Sequence, residues 1–194
     1  MRNILLVTWL LLPIGAWAYH EGPGQDRLAL DDADAVLVAA HAAATDGRWK
    51  DALAGYEEAL AKLPKDQETL SQRLRLELNK ARMQAQQLGE AREELETLVD
   101  QLVADPKTDG KLLSDARQAL ARAQFFTTWL MRLEGLSREV WEPEIEAARQ
   151  NWRLLAEQAG TAAEKQQHAQ DLEAAIRLER IELEDLQGLP LPGC

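Results

Sequence analysis

Apolar residues recur at three- and four-residue intervals along most of this chain, and no stretch alternates with the two-residue period of a strand. The clearest case is DGRWKDALAGYEEALAKLP, residues 46–64. Trp49, Ala52, Leu53, Tyr56, Ala59, Leu60 and Leu63 share one broad face of a helix, while Lys50, Asp51, Glu57, Glu58 and Lys62 lie mostly on the other. Gly47 breaks the helix before it, and Pro64 cannot continue the helix after it. The small Ala52 and Ala59 admit a neighbouring helix at close range, and Trp49 and Tyr56 fill the gaps between them. The same period predicts a helix over KLLSDARQALARAQFFTTWLMRL, closed by Gly135, and another over EPEIEAARQNWRLLAEQAG with Pro143 in its first turn. A capping box at Thr161–Glu164 opens a last helix, which runs through LEAAIRLERIELEDLQ to Gly188.

The pattern recurs. QQLGEAREELETLVDQLVADP carries Gly89 before its helix and Pro106 after it, and the Gly47–Gly89 and Pro64–Pro106 intervals are both 42 residues. That register sets Glu94 where Ala52 stood and Leu98 where Tyr56 stood. Further on, Ala148 and Trp152 repeat the alanine–aromatic pair, behind a longer linker EGLSREVW.

At these residues the sequence resembles the tetratricopeptide repeat (TPR), whose second helix carries an alanine, an aromatic four residues on and a proline eight beyond that. Ala52, Tyr56 and Pro64 match. The conserved positions of the family's first helix fall on Val36, Ala39, Ala40 and Ala43, which are small or apolar but are not the family's residues. The match covers residues 33–64. A period of about 34 leaves about eight residues inserted in the 42, within KDQETLSQRL, which would lengthen the next helix by about two turns. The resemblance implies an all-α fold: a short TPR-like right-handed α-solenoid of about three helical hairpins with a C-terminal capping helix. The organisation that follows is a leader over 1–18, an extended segment over 19–29, one helical domain over 30–187 and an extended tail over 188–194.

The leader reading rests on MRNILLVTWLLLPIGAWA. Arg2 precedes an apolar run from Ile4 to Leu12, Pro13 breaks it, and Ala16-Trp17-Ala18 fits an A-x-A cleavage site. A spanning helix needs about 20 apolar residues, more than this run supplies. The protein is therefore expected to be exported, to the periplasm or beyond the cell, with Tyr19 as the first mature residue. The net charge is −11, or −12 once Arg2 is removed, which excludes nucleic acid as a ligand because phosphate binding needs clustered Lys and Arg.

Chemistry is hard to find. His20, His41 and His168 are scattered singly, with no HExxH and no neighbouring cysteine, so neither a metal nor any other cofactor is expected. Glu164 and His168 miss the Glu-x-x-His spacing of a di-iron bundle. No nucleophile elbow, P-loop or dinucleotide fingerprint occurs. No catalytic residue is assigned, and an enzyme is not expected. Cys194 is the sole cysteine, so it forms no intrachain disulfide and reads as either an intermolecular thiol or an incidental tail residue.

The resemblance implies a non-catalytic adaptor that binds other proteins on a concave face lined by first helices. Carried over at four-residue spacing, that face holds Asp34, Leu37, His41 and Thr45 in the first hairpin and Asn79, Met83 and Gln86 in the second. Asn79 and Lys80 are too few for the carboxylate clamp of some family members. Phe125, Phe126, Trp129, Trp141 and Trp152 form the richest aromatic group; it reads as core, with Phe126 and Trp129 the binding candidates if part is exposed. By layout alone (leader, short array, no catalytic motif) the chain also resembles the secreted TPR proteins that accompany MoxR-type ATPases and von Willebrand A-domain proteins in bacterial aerotolerance operons. A membrane-associated complex and a homo-oligomer stay open. The alternative function is a structural helical subunit that self-associates through its last helix and Cys194.

Overall fold

A computed structural model describes residues 25–182, 185 and 186. Among them are seven α-helices and no strand: α1 (Gln25–Thr45), α2 (Trp49–Lys62), α3 (Glu68–Gln84), α4 (Leu88–Ala104), α5 (Gly110–Leu133), α6 (Arg138–Gln158) and α7 (Ala162–Arg180). The leader, the tail and Cys194 lie outside the described residues. The helices form two compact units, divided after Leu74 within α3.

In the first unit α1 and α2 make an antiparallel hairpin. The seam is built from small residues: Ala33, Ala40 and Ala43 on α1 meet Ala52, Tyr56 and Ala59 on α2, all nearly inaccessible to water. Ala39, which the resemblance set in this seam, faces solvent instead. The closest approach is at Gly55, where a Cβ would stand 2.7 Å from the Ala40 Cβ. No side chain larger than hydrogen fits there without moving a helix. α2 ends as foreseen: Leu63 is extended, and Pro64 follows.

Three turns in the chain share one construction. Gly47, Gln86 and Gly135 have φ of 73°, 66° and 74°. In each case the next residue donates its backbone N–H to a carbonyl five residues back: Arg48 to Ala43 at 2.8 Å, Gln87 to Arg82 at 2.9 Å and Leu136 to Met131 at 3.0 Å. This is the Schellman closure of a helix. It corrects the repeat register. The residue equivalent to Gly47 is Gln86, not Gly89, which lies inside the first turn of α4. Gly47–Gln86 and Ala52–Ala91 are both 39 residues apart, so Ala91 and Leu95 take the places of Ala52 and Tyr56, and both are fully buried. Glu94 is on the exposed side, paired with Arg75 at 3.3 Å. The proline interval reached 42 because α4, at 17 residues, is three longer than α2, at 14. The helix after Pro64, α3, has 17 residues against 21 in α1, so the expected lengthening by two turns is not seen.

Other boundaries also differ from the sequence reading. α1 begins at Gln25, within the segment expected to be extended. α6 begins at Arg138, so the linker is short and Pro143 sits one turn deeper than the first, on an exposed position where its missing N–H is tolerated. α7 stops at Arg180, with Ile181 extended, rather than running to Gly188. Its start is as predicted: the Thr161 hydroxyl accepts from the Glu164 N–H, and Glu164 accepts from the Thr161 N–H at 3.0 Å.

In the second unit, α4 packs on α5, α5 on α6 and α6 on α7. α5 is buried on two sides. Ala116, Ala119, Leu120 and Ala123 join a core with Leu76, Leu95 and Leu98, while Ala121 and Phe125 join a second core with Ile145, Ala148, Trp152, Ala175 and Leu178. Alanine at these α5 positions lets a helix be approached from both flanks. Polar contacts tie alternate helices. Arg92 on α4 grips Glu144 on α6 through two hydrogen bonds of 2.8 and 2.9 Å. Arg132 on α5 donates to the carbonyls of Leu178 and Ile181, so it caps the C-terminus of α7.

Candidate functional site

The residues assigned to a concave face fall in the two units and are taken separately. On α1, Asp34, His41 and Thr45 are exposed and Leu37 is half-buried. The His41 ring stands edge-on to Tyr56, with centroids 5.4 Å apart, and the Thr45 hydroxyl donates to the His41 carbonyl at 2.9 Å. These four therefore form a strip along α1 whose histidine is oriented by α2.

The strip on α3 is only partly exposed. Asn79 is 1% exposed, its amide donates to the Arg75 carbonyl at 2.9 Å, and its oxygen accepts from Arg82 at 3.2 Å. It presents nothing to a partner. Met83 is half-buried against the Leu76–Leu95–Leu98 core, and Gln86 is the left-handed turn residue. The cause is the register. A slip of three residues rotates an assigned helix face by about 60°. In the corrected register Asn79 stands where Ala40 stands, in the seam, and the positions matching His41 and Thr45 are Lys80 and Gln84. Lys80 is paired with Glu77 at 2.8 Å.

The aromatic group divides between core and edge. Phe125, Trp141 and Trp152 are core. Phe125 meets Trp152 edge-on at 5.8 Å, and Trp141 lies beneath the guanidinium groups of Arg132 and Arg138, at 4.9 and 5.7 Å. Burial lowers the Arg132 pKa from its ordinary value, against the pull of Glu182. Phe126 and Trp129 are only half-buried, packed on the edge of this core. Exposed aliphatic residues follow them along the chain. Leu130, Leu133 and Leu136 are each about two-fifths exposed, and Val140 is half exposed. These residues follow one another along the last turns of α5, the turn at Gly135 and the start of α6. The sequence reading stopped at the aromatics and missed the aliphatic continuation. A signal was present: α5 is apolar at Phe125, Phe126, Trp129, Leu130 and Leu133, more positions than one buried face can use.

A polar group lies at the junction of α5 and α7. Asp171 and His168 on α7 are buried, and the Asp171 carboxylate accepts from Gln167 at 3.2 Å. Among the described residues no three His, Cys, Asp or Glu side chains converge as a metal site, and no helix is long and apolar enough to cross a membrane. No protein-family model matches the chain, and no curated protein or solved structure matches it.

Proposed function

We propose that this chain is a non-catalytic TPR-like adaptor, exported to the bacterial envelope, which captures an apolar segment of another exported protein. The observation that carries this reading is the run of half-buried and exposed apolar residues from Phe126 and Trp129 through Leu130, Leu133 and Leu136 to Val140. Exposed apolar residues grouped at one end of a helical hairpin are the kind of feature that marks a contact site. The solenoid part of the reading draws support from the three like turns, from the buried pairs Ala52–Tyr56, Ala91–Leu95 and Ala148–Trp152, and from the ties that join α4 to α6 and α5 to α7. In this reading α7 is the terminal cap. Export draws its support from the leader-like residues 1–18, and an intact mass that begins at Tyr19 is the outcome expected.

The test is site-specific photocrosslinking in cells from position 133 and, separately, from position 37, followed by capture with the Leu133→Glu/Leu136→Glu double variant. Position 133 should crosslink one defined protein. The double variant should lose that capture at least tenfold, with thermal stability nearly unchanged, since exposed positions usually tolerate substitution within about 0.5 kcal/mol. Crosslinks only from position 37 would move the site to α1. Crosslinks only to further copies of the chain would favour the self-associating subunit.

A further inference from the structure

α7 is held unequally along its length. Its C-terminal end is clamped: Arg132 takes the carbonyls of Leu178 and Ile181, and Glu179 accepts from Arg149 at 2.8 Å and pairs with Arg138 at 3.5 Å. Its N-terminal end is not. Residues 161–167 are all exposed, so the first side chains to enter the seam are His168 and Asp171. Asp171 is 2% exposed, and its Oδ2 has no hydrogen-bond partner. His168 Nδ1 is likewise buried without one, as is Nε of Arg122, the cation that faces Asp171 from α5. From α6, Ala148, Trp152 and Leu155 join this core, and the charged groups that reach α7 are Arg149 and Arg138, both paired with Glu179.

We propose that this seam is a proton-responsive latch, in which the N-terminal half of α7 sits more firmly on α5 and α6 when Asp171 is neutral than when it is ionised. An ionised carboxylate buried with one long hydrogen bond loses solvation that its surroundings return only in part. Burial pushes the Asp171 carboxyl above its ordinary value; Arg122, Gln167 and His168 pull the other way and are outweighed. The sign follows. A carboxyl raised in the folded state contributes stability that is complete below its unfolded pKa, near 3.9, and is lost as pH rises through the folded value. Protonation of Asp171 therefore tightens this end of α7, and its ionisation loosens it. Opening from this end would uncover Trp152 and Leu155 while the Arg132 clamp still holds the far end.

Hydrogen exchange of the full chain, followed by mass spectrometry and corrected for the intrinsic rate, reads the latch directly. As pH falls from 7 toward the ordinary carboxylate range, protection over residues 165–175 should rise relative to α4. Asp171→Asn should raise it at pH 7 and abolish most of the pH response, because each unit of displaced pKa is a factor of ten in the opening equilibrium. His168→Gln should leave the response in place, and Arg122→Gln should move it to higher pH. Lower protection in Asp171→Asn at every pH would make Asp171 a stabilising partner of Arg122 and overturn the proposal. Loss of the response in His168→Gln would assign it to the histidine and do the same.

Discussion

Gly55→Ala is the sharpest test of the first hairpin. In an exposed helix, glycine to alanine stabilises by about 1 kcal/mol, because alanine restricts the unfolded chain and suits the helix. At Gly55 the new methyl would stand 2.7 Å from the Ala40 Cβ and 3.3 Å from its Cα. Neither is the end of a flexible side chain, so α1 and α2 must separate by about 1 Å to reach ordinary contact. Overpacking of this kind costs about 1–3 kcal/mol. Set against the propensity gain, the net expectation is a loss of about 1 kcal/mol. Gly89→Ala supplies the internal control: the position is helical, has no φ above zero, and has nothing within 4 Å of the added methyl. It should therefore stabilise. Urea midpoints with unchanged slope measure both, and hydrogen exchange over α1 and α2 locates the effect. Moving the methyl across the seam, as Ala40→Gly/Gly55→Ala, should cost less than the two single changes together, with a coupling of about 1–2 kcal/mol. If Gly55→Ala is as stabilising as Gly89→Ala, the helices are not in close contact there and the seam is wrong.

Two further outcomes test other features. Gln86→Gly should raise stability by about 1 kcal/mol in a urea titration, because glycine adopts the left-handed turn without the cost a side chain incurs. Arg92→Gln should destabilise the second unit by about 1–3 kcal/mol in thermal unfolding, since it strands the largely buried Glu144 carboxylate, whose hydrogen bond holds the Arg92 pKa above its ordinary value; the loss stays below that of a fully buried pair because Arg92 keeps a quarter of its side chain in water.

Much of the helical pattern was legible because each device acts locally. The Gly47 and Gly135 turns, the Pro64 stop and the Thr161–Glu164 capping box each involve residues within one turn of one another. The alanine–aromatic pairs at Ala52–Tyr56 and Ala148–Trp152 were legible for the same reason. The register of the second hairpin was not. Gln86 does the work of a glycine, and a side chain in that conformation leaves no compositional trace, while a real glycine three residues later sits in plain helix. The longer α4 then displaced Pro106 by the same three residues, so two markers agreed on a wrong interval. Asn79 was misread for a related reason. A polar residue in a seam looks like surface until its amide is seen bonded to its own helix at Arg75. The Leu130–Val140 surface escaped because exposure of aliphatic residues depends on which side of α5 its two cores leave open.

The order in which the second unit's helices touch also bears on how fast it folds. Each helix from α4 onward packs against the next in the chain, and the longest of the side-chain hydrogen bonds named above, Arg92 to Glu144, spans 52 residues. Contacts of such short reach close small loops, so little chain entropy is lost before each is rewarded, and domains of this kind fold in microseconds to milliseconds. An emerging chain can thus complete α4–α5 before α6 is present and add α6 and α7 in turn. The half-finished intermediate exposes the Ala121–Phe125 flank of α5 rather than an unpaired strand edge, which leaves it without the template on which sheet proteins aggregate.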